Sequence, residues 1–184
     1  MFTLILGPMK SGKSLELIAQ VAPYEHTDKE VLYVQPEANT RDKGVQSRLG
    51  VNATALTVKS LSEINKPFDV IGIDEIHMFD EDDAKVIDRW LRDDKNVIAS
   101  GLDLDYRRKM LPIIIRLLEI NPDKLIRKNA VCEICRTEVN AQFTQMLDDG
   151  EPVLGGRPII TIDDGKVEYQ ARCRDCFEFE GKQD

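Results

Sequence analysis

The sequence predicts an α/β protein, a mostly parallel sheet flanked by helices, followed by a small subdomain stapled by cysteines. Three observations carry this. Short apolar runs alternate with amphipathic stretches over the first two-thirds of the chain, the pattern of strands joined by crossover helices. The first apolar run leads through a glycine-containing loop into a helical stretch. Beyond about Ile126 helical periodicity fades, and two Cys-x-x-Cys pairs frame a turn-rich segment. These features divide the chain into an α/β domain over 1–126, a small subdomain over 127–178, and a polar, frayed tail over 179–184.

The elements follow in order. Phe2–Leu6 is an apolar strand, and Ser14 to about Val21 an amphipathic helix. Val31–Gln35 is a second strand ended by Pro36. Glu37 to Gly50 is polar without apolar periodicity and reads as a loop with some helix. Ala53–Val58 is a third strand. Asp69–Ile73 is a fourth, apolar on both faces as a strand covered on both sides must be. Asp80–Arg92 is a helix, with Ala84, Ile87 and Leu91 on one face and acids in the first turn that favour the helix dipole. Asn96–Ser100 is a fifth strand and Pro112–Ile120 an apolar helix. In the last third, Pro158–Ile162 and Lys166–Ala171 read as two strands of a hairpin turning at Asp163-Asp164-Gly165.

A chain of 184 residues suffices for one domain and a small appendage. The net charge of −8 argues against a general nucleic-acid binder, which presents a basic face, but permits a local basic pocket. Phe2–Leu6 is too short for a signal-peptide core. No run approaches the roughly 20 apolar residues of a membrane span. The reading is a cytoplasmic protein with no membrane partner. In that reducing compartment, four cysteines in two pairs point to metal rather than disulfides.

Gly7-Pro8-Met9-Lys10-Ser11-Gly12-Lys13-Ser14 fits G-x-x-x-x-G-K-[ST] at every position, with a strand before it and a helix after. Glycines let backbone N–H groups turn inward around phosphate oxygens, and the helix N-terminus adds its positive end. Gly7, Met9, Lys10, Ser11 and Gly12 form the cradle. Lys13 is expected to reach the β- and γ-phosphates of ATP, and Ser14 to ligate Mg²⁺. The fold class sharpens to a P-loop NTPase type.

Asp74-Glu75-Ile76-His77 follows the buried strand Val70–Ile73. Acids at the carboxyl end of such a strand lie where α/β sheets place ligands. Asp74 is assigned to Mg²⁺, directly or through water, and Glu75 to general-base catalysis. His77 either contacts a phosphate or orients a neighbour. Asp-Glu-x-His is also a helicase signature, but a helicase needs a second motor domain and the remaining chain is too short for one. A zinc-ribbon ATPase that binds nucleic acid stays open as one alternative, with the acidic composition against it, and a catalytically silent nucleotide-binding protein as another.

Cys132-Glu133-Ile134-Cys135 and Cys173-Arg174-Asp175-Cys176 offer four thiolates, a full tetrahedral Zn²⁺ set with no position left for water. Such a metal is structural. It would pin both ends of the excursion 136–172, which lacks the apolar area to hold itself.

These pieces, in this order, resemble the thymidine kinase family of cellular, bacterial and viral enzymes over nearly the whole chain. Gly7 to Ser14 is similar to its Gly-Pro-Met-x-Ser-Gly-Lys-Ser/Thr loop, and Asp74-Glu75 to its Asp-Glu-x-Gln-Phe-Phe segment. Gly101-Leu102-Asp103-Leu104-Asp105-Tyr106-Arg107 is similar to its Gly-Leu-Asp-x-Asp-Phe-Arg segment. Ala130-Val131-Cys132 opens the zinc region, and Phe143-Thr144, Gly155-Gly156, Tyr169 and Cys173 to Cys176 are landmarks of the loop called the lasso.

The resemblance implies a deoxynucleoside kinase of nucleotide salvage, acting on thymidine or deoxyuridine. Glu75 would accept the proton of the 5′-hydroxyl as that oxygen attacks the γ-phosphate of ATP. It implies that Arg41 and His77 join the phosphate and Mg²⁺ site. Met9, Met78, Leu102, Tyr106 and Leu111 would line the nucleoside pocket from below. Thr144, Val153, Leu154, Gly155, Gly156 and Tyr169 would close it from the lasso. It also implies a homotetramer whose partners are ATP and a nucleoside, with no nucleic acid. The chain departs from the family pattern at His77, Met78, Leu111 and Asn39, and in the longer path Arg157–Lys166. These departures bear on substrate preference more than on phosphoryl transfer.

Overall fold

The computed structural model describes residues 1–39, 44–46, 52–159 and 166–182. Six parallel strands form the main sheet: β1 (Phe2–Leu6), β2 (Val31–Pro36), β5 (Leu56–Val58), β6 (Val70–Ile73), β7 (Asn96–Gly101) and β8 (Lys124–Arg127). A two-stranded ribbon of β3 (Val45–Gln46) and β4 (Asn52–Ala53) precedes β5. The sheet order is β5-β2-β6-β7-β1-β8.

One face is covered by α1 (Lys13–Val21), whose Leu17, Ile18 and Val21 meet Ile5, Val70 and Ile98. The other is covered by α2 (Asp83–Arg92) and α3 (Pro112–Glu119), where Ile87, Ile114 and Leu117 pack against Leu4, Ile71 and Ile73. Burial on both faces explains why Val70–Ile73 is apolar at consecutive positions. Because every strand is parallel, the turns after Leu6, Ile73 and Gly101 open on one edge, and the register pairs Leu6 with Gly101. That edge carries the site.

Gly72 in β6 lets α1 and β2 approach closely. A Cβ there would lie 2.9 Å from Val21 Cγ2 and 3.1 Å from Tyr33 Cδ1. Gly72→Ala is therefore expected to cost about 1–3 kcal/mol by overpacking. A lowered urea midpoint with an unchanged denaturant slope would show this.

The second sheet, β10-β9-β11, is antiparallel and built from β9 (Phe143–Asp148), β10 (Glu151–Pro152) and β11 (Val167–Arg172). Its register sets Thr144 opposite Ala171 and Met146 opposite Tyr169. Two small cores serve it. Ala130, Ala141 and Ala171 pack with Cys132 and Cys173. Tyr106, Met146 and Val167 pack with Val153 and Tyr169.

The elements differ from expectation at five places. The third strand is split, with Asn52–Ala53 in the ribbon and Leu56–Val58 in the main sheet. The second helix begins at Asp83, because Asp80 to Asp82 form a turn whose carbonyls take the N–H groups of Asp83, Ala84 and Lys85. β8 went unread, being a four-residue edge strand with three exposed positions. Of the expected hairpin, Pro158 and Ile159 are outside any strand, residues 160–165 lie outside the described residues, and β11 pairs with β9. The tail is docked through Lys182. Phe179 stacks on Phe177 at 6.3 Å and lies under the Arg108 guanidinium at 4.5 Å, and Glu178 N–H donates to Gln145.

Candidate active site and metal centre

The loop from Gly7 to Ser14 joins the end of β1 to the start of α1. Gly7 is required by a close approach, since a Cβ would meet the Lys128 carbonyl oxygen at 2.3 Å. Gly12 and Lys10 take left-handed backbone angles, φ 79° and 63°. Glycine carries that conformation without cost, whereas Lys10 holds it against its preference. Lys13 is buried, and its ammonium curls back to donate to Pro8 O at 2.7 Å, beside Ser11 Oγ donating to the same oxygen at 2.8 Å.

Asp74 ends β6 and is buried. Its Oδ1 accepts from Ser100 Oγ at the end of β7, 2.5 Å away, and from Glu75 N–H at 3.0 Å, and the Ser14 side chain lies near enough to favour the charged carboxylate. A serine hydroxyl at the helix start beside a buried carboxylate is a pair of hard oxygen ligands suited to Mg²⁺, which takes its other ligands from phosphate and water. Ser100 was not singled out from the sequence. A hydroxyl closing an otherwise apolar strand was the available signal.

Burial, and next the charge of Glu75, push the Asp74 carboxyl up to about 6, against the opposing pull of Ser100, Ser14 and Glu75 N–H. Between an ordinary value of 3.8 and about 6 the folded chain keeps a proton that the unfolded chain releases. The ionised carboxylate thus destabilises the ligand-free fold above that window, and the cost vanishes as pH falls through it. Asp74→Asn is expected to raise the melting temperature at pH 7 while turnover is lost, with the thermal advantage shrinking toward pH 4. Melting curves at the two pH values check this.

Glu75 sits at φ 50°, ψ 40°, a left-handed residue that caps the single 3₁₀ turn Ile76–Met78. Its Oε2 is buried and, among the described residues, has no hydrogen-bond partner. His77 Nδ1 lies 3.4 Å from it. Burial, and next the charge of Lys13, hold the His77 imidazole down at about 3, so the ring is neutral. His77 Nδ1 accepts the Leu102 N–H at 3.3 Å, which places the ring proton on Nε2. Two acceptors therefore face each other, and the contact is no ion pair. A carboxylate oxygen in that position is ready for a hydroxyl donor. Gly101 makes room for the turn, since a Cβ there would press on Ile76 at 2.9 Å and on His77 N at 3.1 Å.

The residues expected around the nucleoside fall into two groups. Met9, Met78 and Leu102 are partly exposed on the loops at the sheet edge, and Leu154, Gly155 and Gly156 are open to solvent after β10. The rest are engaged in structure. Thr144 Oγ1 accepts the Met9 N–H at 3.0 Å. Tyr106 Oη donates to Arg157 O at 2.9 Å and accepts Arg157 N–H at 3.2 Å. Val153 and Tyr169 pack beside the Tyr106 ring. Leu111 is 2% exposed and belongs to the main core at the start of α3. Arg41 lies outside the described residues.

The four cysteine sulfurs all lie within 4.8 Å of one another, with Cys135 and Cys173 at 3.9 Å. A tetrahedral zinc with Zn–S of about 2.3 Å sets S···S near 3.8 Å, so the donors fit Zn²⁺. Burial works against ionisation of Cys132, but backbone N–H groups of Cys173, Cys135 and Ile134 outweigh it and hold the thiol at about 6. Burial, and then the neighbouring Cys173 and Cys132, push Cys176 up to about 12. The cluster cannot carry four thiolates without a cation among them.

Among the described residues no helix is long and apolar enough to cross a membrane. Comparison with known proteins adds the family. A family model described as thymidine kinase matches residues 1–177. A protein of Pseudothermotoga lettingae named thymidine kinase is 32% identical over 183 residues, covering 95% of this chain and 93% of its own. A thymidine kinase of Mycoplasma capricolum is 32% identical over 95% of this chain and 87% of its own. One of Mesoplasma florum is 31% identical over 96% and 91%. With a phosphate loop, a paired acid site and a four-cysteine centre all in place along that matched length, the chain belongs to the thymidine kinase family.

Proposed function

We propose that this chain is an ATP-dependent thymidine kinase that moves the γ-phosphate of ATP to the 5′-hydroxyl of thymidine. The observation that carries the proposal is the buried, unpartnered Oε2 of Glu75 one residue from the Asp74–Ser14 pair. The family membership supports the kinase reading over a nucleic-acid-stimulated ATPase.

The backbone of residues 7–14 would hold the triphosphate, and Lys13 would leave Pro8 O for the β- and γ-phosphate oxygens. Ser14 and Asp74 would hold Mg²⁺, which would supply neutralising charge. Glu75 takes the proton from the 5′-oxygen as that oxygen bonds to phosphorus and the bond to the ADP oxygen breaks. Neutral His77 offers the carboxylate no proton, which leaves Oε2 free to accept one from substrate. Tyr106, through Arg157, ties the loop after β10 to the main domain, where it can cover the nucleoside and exclude water.

Incubating the protein with ATP, Mg²⁺ and a panel of nucleosides, read by product mass, tests the proposal. Thymidine monophosphate is the expected product, with deoxyuridine second. Nucleosides recovered unchanged throughout the panel would refute it.

A further inference from the structure

The tip of the phosphate loop is fastened from outside by the cysteine-bearing lobe. Met9 gives its N–H to Thr144 at the start of β9. The next residue, Lys10, reaches further and pairs its ammonium with Glu133 Oε2 at 2.5 Å. Glu133 is the second residue of the first Cys-x-x-Cys turn, between two of the four metal-ligand candidates. The turn itself is fixed. Glu133 N–H donates to Ala171 O at 2.9 Å, and Glu133 Oε1 accepts Ala171 N–H at 2.8 Å. One carboxylate therefore bridges β11, the metal centre and the phosphate loop.

An exposed Lys–Glu pair usually contributes little, because two long side chains must be immobilised for a screened attraction. Here the Glu133 side chain is already held by Ala171 and by the cysteine turn. Only Lys10 is ordered by forming the pair, and both side chains are about 30% exposed. Lys10 is also the non-glycine residue of the loop at φ 63°. A loop that must hold an unfavourable angle gains from an outside anchor, and a preformed ring of amides binds phosphate without an ordering cost.

We propose that Glu133 is a positioning residue of the ATP site, acting through Lys10 to hold the phosphate loop in its binding shape and so making ATP affinity depend on the metal-bearing lobe. This rests on the assignment of ATP to residues 7–14.

Glu133→Gln separates its two tasks. Glutamine can still accept the Ala171 N–H, so the lobe keeps its turn, but it cannot pair with Lys10. The dissociation constant of ATP–Mg²⁺, measured by calorimetry without nucleoside, is expected to rise three- to tenfold in Glu133→Gln. Zinc content, melting temperature and the KM for nucleoside should stay at the wild-type level. Lys10→Met should weaken ATP by a similar factor, and the double variant should be no worse than either single one, as required of two residues acting through one contact. Unchanged or tighter ATP binding in Glu133→Gln, or single effects that multiply in the double variant, would overturn the proposal. If the wild type itself binds no ATP, the assignment of the phosphate loop falls first and this inference with it.

Discussion

Glu75→Gln is expected to lower kcat by about 10²–10⁴-fold, the usual contribution of a positioned general base. ATP affinity should stay within about twofold of wild type. The side chains are nearly equal in size, so the left-handed cap of the 3₁₀ turn at Ile76–Met78 has no steric reason to move. Glutamine presents an acceptor or an N–H group to the cleft but cannot take a proton at neutral pH. The proposed ATP ligands, Lys13, Ser14 and the amides of residues 7–12, sit at the start of α1 and in the loop before it, not on this turn. Steady-state turnover with an equilibrium ATP titration separates the two effects. Turnover near the wild-type rate would remove Glu75 from the chemistry.

Removing the metal should abolish turnover by unfolding one lobe while the other persists. The core behind the cysteines is made of alanines, Ala130, Ala141 and Ala171. Each brings little more than a methyl group, about 0.8 kcal/mol of burial by the usual scale. Structural zinc in small domains is worth an apparent 10–16 kcal/mol at neutral pH, so a zinc held by these cysteines would outweigh the alanine core. Without it β9 and β11 lose their common anchor, and with them go the Thr144–Met9 bond and the Tyr106–Arg157 tie. Hydrogen exchange on a chelator-treated protein, or on Cys173→Ala, should show rapid exchange across Phe143–Asp148 and Val167–Arg172. Val70–Ile73 and Asn96–Gly101, buried in the main sheet, should stay protected. A zinc-free chain that turns over normally would contradict this.

The sequence disclosed the parts whose physics is local. A strand covered on both faces must be apolar throughout, which exposed Val70–Ile73. The phosphate loop needs glycine where the backbone turns or meets another chain segment, as at Gly12 and Gly7. Paired thiols at two-residue spacing announce their metal. What stayed hidden depends on contacts distant along the chain. β8 is strand only because β1 offers it an edge, and its own Lys-Leu-Ile-Arg lacks a buried stripe. β11 pairs with β9, far along the chain, and its Tyr169 and Val167 pack there with the Tyr106 ring. Thr144 reads as a ligand contact in sequence, and the fold adds that its hydroxyl oxygen accepts the Met9 N–H. Glu133 reads as a spacer between two cysteines, and only the fold brings Lys10 to it.

The most direct test is a crystal structure of the chain with thymidine and a non-hydrolysable ATP analogue. The account predicts the triphosphate against residues 7–14 and the 5′-oxygen within about 2.6–3.2 Å of the Glu75 carboxylate, in line with the γ-phosphorus. A 5′-oxygen remote from that carboxylate, or a triphosphate seated elsewhere, would contradict it.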